Sequence, residues 1–165
     1  MIIKRLNKNF LIYFLIVFSI FLIDRLSKIY VINLDKKFLG SEIFSSKFLN
    51  ISLIWNEGVA FGLLSFEKEI LYNILTLIIL IIILVIFFMV TQSHGFKKYA
   101  LLIILGGALG NVYDRIFFKS VPDFIDFHVE NFHWFIFNVA DIFITLGIIF
   151  MILLEFNDNN KANKS

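Results

Sequence analysis

The sequence predicts an all-α polytopic membrane protein, with four transmembrane helices and a small extracytoplasmic β-rich cradle between helices 1 and 2. Three observations carry this. The chain is 59% hydrophobic at a mean hydropathy of +0.88, more apolar surface than a soluble domain of 165 residues could hide. Ile70 to Val90 runs for 21 residues without a charge, the ~20 that a helix needs to cross a bilayer. Three further apolar runs are long enough to join it.

The first helix is expected over about 10–32. Lys4, Arg5 and Lys8 precede an apolar run that resembles the opening of a signal peptide, but Asp24-Arg25-Leu26-Ser27-Lys28 follows where a small-residue cleavage site would stand, so the helix is read as retained. Segment 33–69 is mixed and is assigned to the extracytoplasmic side. Within it Lys47 to Trp55 alternates loosely as a strand, Asn56-Glu57-Gly58 reads as a turn, and Val59 to Leu64 is a short apolar piece that fits a hairpin on the membrane surface. Helices 2, 3 and 4 are expected over about 70–90, 99–118 and 134–154, joined by a loop over 119–133. Asn157 to Ser165 is polar and expected to be disordered. No internal repeat is visible, which argues against an inverted-repeat transporter. The whole chain, 1–165, is read as a single membrane domain.

With the N-terminus inside, the cytoplasmic parts hold 7 of the 15 basic residues, so the raw positive-inside count is silent. The basic start and the lack of any acid before Asp24 orient both termini to the cytoplasm. Asp24, Asn56, Asp114, Asp123 and Asp141 then gather near the outer face. The net charge of +2 is too small to argue for nucleic acid. The chain has no cysteine, which excludes disulfides, a thiolate nucleophile and thiolate metal ligands.

Carboxylates at the edge of hydrocarbon are costly and are functional candidates by default. Asp123 follows Pro122, the only proline, and Asp141 lies three residues from Asn138 on one face of the fourth helix. The pair suggests acid–base chemistry; a solvated loop acid and an interhelical hydrogen-bond anchor are the plain alternatives, and Asp126 competes with Asp123. Asn111, Asp114 and Arg115 read as a polar network locking helix ends, with Asp114 neutralised by an arginine and hence a poor base. Asp24 and Lys28 form an i,i+4 pair. Gly106 and Gly110 give a GxxxG spacing for close helix packing. His128 and His133 share the outer loop with Asp123 and Asp126, four groups that could hold a metal on paper, but no compact ligand motif joins them. A metal-dependent membrane protease, a proton-coupled carrier using Asp114 and Asp141, and an assembly protein without chemistry are the rival readings.

Five segments together resemble the lipoprotein signal peptidase, or signal peptidase II, family: Asp24-Arg25-Leu26-Ser27-Lys28; Asn56-Glu57-Gly58-Val59-Ala60-Phe61; Gly106 to Arg115; Val121 to Phe127; and Phe137-Asn138-Val139-Ala140-Asp141. They stand in the family's order and spacing over nearly the whole chain; Pro122, where valine is common, is a minor departure. The resemblance implies a metal-independent aspartic endopeptidase of the bacterial cytoplasmic (inner) membrane that removes signal peptides from prolipoproteins, cutting before the diacylglyceryl-modified cysteine. It implies Asp123 and Asp141 as the catalytic pair, with Asp24, Lys28, Asn56, Asn111, Arg115 and Asn138 binding substrate or supporting that pair. No cofactor is implied. The implied partners are prolipoprotein substrates, membrane lipids and globomycin-type inhibitors, with the enzyme a monomer and a mobile helix covering the site.

Overall fold

A computed structural model describes residues 2–58, 68–130 and 132–162. Its elements run α1 (Ile2–Lys37), β1 (Phe44–Ser45), β2 (Leu49–Asn56), α2 (Lys68–Gln92), α3 (Gly95–Phe118), β3 (Val121–Val129), β4 (Phe132–His133) and α4 (Val139–Ala162). All four helices are long and apolar enough to cross a bilayer. Val59 to Leu64, and with it the expected hairpin and covering helix, lies outside the described residues.

α1 continues past 32 to Lys37, where Lys36 and Lys37 in the last turn complement the helix dipole. It stops where Leu39 and Gly40 take positive φ, with the Gly40 N–H donating back to the Asp35 carbonyl at 3.1 Å. α3 is the centre of the bundle: half of its spanning window is buried, against 6–17% in the other three helices. Its small residues explain this. A Cβ at Gly106 would lie 2.9 Å from Cβ of Ile20 on α1, and one at Gly107 would lie 2.6 Å from the Ala140 carbonyl oxygen on α4. Both contacts are stiff: Ile20 Cβ is fixed by its own backbone and the Val17 carbonyl oxygen lies 3.2 Å away as well, while the Ala140 oxygen is backbone itself. Gly107→Ala is therefore expected to cost about 1–3 kcal/mol by prying α3 from α4, read as a lowered thermal midpoint in detergent.

Three expectations are corrected. The 119–133 connection is not a loop: Val121–Val129 forms a nine-residue strand that pairs antiparallel with β2, and a four-stranded sheet results in the order β1-β2-β3-β4. The cradle after helix 1 thus supplies only half the sheet; the other half comes from between α3 and α4. The fourth helix starts at Val139 rather than 134. The Trp134 N–H donates to the Phe127 carbonyl at 2.8 Å, and Phe137 exchanges backbone hydrogen bonds with Ile125 at 2.8 and 3.0 Å, so this apolar run is extended beside β3. Hydrophobicity alone does not separate a short buried strand from a helix. At the other end α4 runs on through Asn157 to Ala162, where disorder was expected. Lys97 of α3 pairs there with Glu155 and Asp158 at 3.0 and 2.9 Å.

Candidate active site

The outer part of α1 brings Asp24, Arg25 and Lys28 against the last turns of α3. The Arg25 guanidinium donates to both oxygens of Asp114, at 2.5 and 2.6 Å, and to Asp24 at 3.1 Å. Lys28 Nζ has three hydrogens and three acceptors: Asp24 Oδ2 at 2.9 Å, Asp114 Oδ2 at 2.7 Å and Asn111 Oδ1 at 2.9 Å. Asp24 and Asp114 are wholly buried and Lys28 is 1% exposed. Two acids and two bases out of water are tolerable only because each charge is matched and hydrogen-bonded. The arginine that neutralises Asp114 is thus Arg25, from another helix. Arg115, adjacent to Asp114 and so about 100° around α3, turns toward α2. Its carbonyl accepts from the Tyr72 hydroxyl at 2.9 Å, and its guanidinium lies 5.9 Å from the Tyr72 ring centroid. A Cβ at Gly58, whose φ is +73°, would come within 2.9 Å of Arg115 Nη1. Arg115 makes no ion pair with a carboxylate among the described residues.

The start of α4 is the second half of the site. Asn138 is the residue before the helix, not on its face. Its side-chain oxygen accepts the Asp141 N–H at 3.2 Å while Asp141 Oδ2 accepts the Asn138 N–H at 3.1 Å, a reciprocal capping box. Asp24 Oδ1 accepts the Ala140 N–H at 3.0 Å, so a carboxylate from α1 satisfies another orphan donor of the same helix end. Asn-Val-Ala-Asp before an apolar run is a cap signature legible in the sequence.

Three asparagines then converge on two carboxylates. Asn138 Nδ2 donates to Asp123 Oδ1 at 2.6 Å, Asn56 Nδ2 to Asp123 Oδ2 at 2.8 Å, and Asn111 Nδ2 to Asp141 Oδ1 at 2.7 Å. Each amide's orientation is dictated by what its oxygen does. Asn138 Oδ1 takes the Asp141 N–H, Asn56 Oδ1 takes the Gly58 N–H at 2.7 Å, and Asn111 Oδ1 takes the Lys28 ammonium. With the oxygens so engaged, each NH2 group must face an acid. Asn138 touches both acids at once, through its side chain and its backbone. Asp123 sits on β3 opposite Ile54 of β2, and is 4% exposed.

Burial pushes the Asp123 carboxyl above the usual carboxylate range. The Asn56 and Asn138 amides act against this, and the nearby Asp141 charge adds to it. A carboxyl raised on folding binds more protons in the folded state than in the unfolded chain, so its contribution to stability falls as pH rises from about 3.8 through the raised value. Asp123→Asn removes that penalty. The variant is expected to melt higher than the parent at neutral pH, with the difference shrinking as pH falls toward 3.8; a constant difference across that range contradicts the assignment.

Asp126, the sequence's competitor to Asp123, is elsewhere: it pairs with His133 Nδ1 at 2.8 Å. His94 precedes α3 at the far end of the bundle.

The family model described as Signal peptidase (SPase) II matches residues 16–157. The chain belongs to the signal peptidase II family. It is 46% identical over 154 residues to the lipoprotein signal peptidase of Pelagibacter ubique (strain HTCC1062), covering 93% of each chain. It is 40% identical over 153 residues to that of Aquifex aeolicus (strain VF5), covering 92% of this chain and 89% of that one. Two solved structures of bacterial membrane enzymes, obtained in meso at 2.3 and 1.9 Å resolution, share its fold. The first is 32% identical at a TM-score of 0.67, covering 90% of both chains. The second is 35% identical at 0.69, covering 88% of this chain and 93% of the other. As a signal peptidase II the chain is a multi-pass membrane protein and an aspartic peptidase.

Proposed function

We propose that Asp123 and Asp141 are the catalytic pair of this lipoprotein signal peptidase, which removes signal peptides from prolipoproteins by cutting before the diacylglyceryl-modified cysteine. The observation that carries the reading is Asn138, which hydrogen-bonds both acids and so holds them to one small space. Two carboxylates so close do not both ionise cheaply. Asp123, raised by burial, keeps the shared proton. Asp141 acts as the base, its carboxylate met by the Asn111 amide and the Asn138 N–H at the start of α4. Asp141 draws a proton from water, the water attacks the scissile carbonyl, and Asp123 polarises that carbonyl. Asp123 then donates its proton to the leaving nitrogen as the C–N bond breaks, and the proton taken up by Asp141 leaves the pair singly protonated again.

Beside Asp141 an apolar groove of about 680 Å³, walled by Phe48, Phe127, Phe132, Trp134 and Phe137, suits the hydrocarbon of a lipidated peptide that arrives sideways from the bilayer. Each buried methylene contributes about 0.8 kcal/mol, so few polar contacts need hold the substrate. Asp24, Lys28, Asn56, Asn111 and Asn138 support the pair, and Arg115 braces the chain near Gly58. The enzyme acts as a monomer in the bacterial cytoplasmic (inner) membrane, with both termini cytoplasmic and the pair near the outer face. Globomycin-type peptides are its expected inhibitors. The test is incubation of detergent-purified protein with a diacylglyceryl-modified prolipoprotein peptide in the presence of chelator. Cleavage on the N-terminal side of the modified cysteine is expected; failure with the lipidated peptide, or equal cleavage of the unlipidated one, counts against the reading.

A further inference from the structure

Behind the catalytic strand lies a second cluster that the peptidase mechanism does not use. Asp126 and His128 are two apart on β3 and so share a face, and His133 of β4 is directly opposite His128 in register. The imidazole rings stack at 5.0 Å with 21° between planes. One donor atom from each of Asp126, His128 and His133 lies within 4.8 Å of the other two. Asp126 is 5% exposed. Its Oδ2 meets His133 Nδ1 at 2.8 Å, but its Oδ1 and the buried His128 Nδ1 have no hydrogen-bond partner among the described residues. An Asp–His hydrogen bond therefore leaves two buried polar atoms unsatisfied, which is costly.

We propose that Asp126, His128 and His133 form a binding site for a transition-metal dication, Zn²⁺ by donor preference, that clips β4 to β3. Two imidazoles and one carboxylate are a borderline-soft donor set that suits Zn²⁺ rather than Mg²⁺ or Ca²⁺. Tetrahedral coordination at about 2.0–2.2 Å needs the donors to close by roughly 1–1.5 Å from that limit, which rotation of the half-exposed His133 ring supplies. Three protein ligands leave a fourth position for water on the His133 side. The clip is not the catalytic centre: Asp123 is three residues from Asp126 and projects from the opposite face of β3. It tightens the hairpin that walls the apolar groove through Phe127, Phe132 and His128 itself.

The test is titration of tag-free, chelator-stripped protein in detergent with ZnCl2 by calorimetry, and with CoCl2 by visible absorption. One site per chain with micromolar affinity is expected, with the d–d bands of tetrahedral Co²⁺ and a Zn²⁺-dependent rise in thermal midpoint. His128→Phe, which keeps a ring in the stack, and His133→Gln should each weaken binding at least about tenfold and abolish the rise. His94→Ala should change neither. Absence of saturable binding below about 100 μM, or binding that survives both histidine variants, overturns the proposal. Complete loss of peptide cleavage on chelation also overturns it, because the metal would then belong to the reaction.

Discussion

Asp123→Asn and Asp141→Asn should each lower cleavage of a lipidated peptide by about 10⁴-fold or more while the protein still folds. The size follows from the division of labour in the dyad. An amide in place of Asp141 cannot take a proton from water, and one in place of Asp123 cannot deliver one to the leaving nitrogen. Neither change empties the site of hydrogen bonds. An amide oxygen at 141 can still accept from Asn111 or from the Asn138 N–H, and one at 123 from Asn56 or from Asn138, so one of the two bonds is kept at each position while the new NH2 group faces the other donor. Loss of activity with a folded, monodisperse protein is therefore the expected pairing, measured by single-turnover cleavage beside a thermal melt. A variant that keeps more than about a tenth of parental activity removes that residue from the chemistry.

The second large effect is on folding. Asp114→Asn should destabilise the protein by about 3–5 kcal/mol, because it leaves buried positive charge without its counter-ion. The cluster balances Asp24 and Asp114 against Arg25 and Lys28, and Asp114 alone takes the bidentate bond from Arg25 and a further bond from Lys28. Chemistry should suffer less. Asp114 reaches the dyad only through Lys28, which fixes the Asn111 amide, which donates to Asp141. The folded fraction is expected within about tenfold of parental rate, a change of ~1.4 kcal/mol in the barrier. Combining Arg25→Gln with Asp114→Asn restores the charge balance and should recover part of the lost stability, an interaction of about 0.5–3 kcal/mol in a double-mutant cycle. Simple additivity of the two losses would show that the buried pair is not coupled.

The sequence was most legible where one physical force dominated. Four apolar runs of spanning length are visible because hydrocarbon admits little else, and Asp24–Lys28 is visible because helix spacing brings i and i+4 together. It was least legible at the two connections. Val121–Val129 is framed by a proline and carries two acids, so it reads as a polar loop; what makes it a strand is a partner, β2, some 65–80 residues away. Trp134–Phe137 is apolar enough to extend the fourth helix, but its backbone is engaged by β3. The start at Val139 was legible in one detail, the Asn138–Asp141 cap. Asp114 was expected to have an arginine partner, yet nothing local tells Arg25 from Arg115; packing of α1 on α3 decides it. The choice of Asp123 over Asp126 likewise rests on three-dimensional neighbours. Asn56 and Asn138 reach one acid, and a histidine reaches the other.

The pH dependence of kcat/KM for the lipidated peptide, measured in chelator, tests the shared-proton dyad most directly. With one proton shared by the pair, the profile is a bell: uptake of a second proton sets the acid limb, and loss of the shared proton sets the alkaline limb, which burial of Asp123 displaces upward from an ordinary carboxylate. A rate that rises through the acid range and then stays level to high pH, with no second limb, would mean that no carboxyl proton is needed and would contradict the paired mechanism.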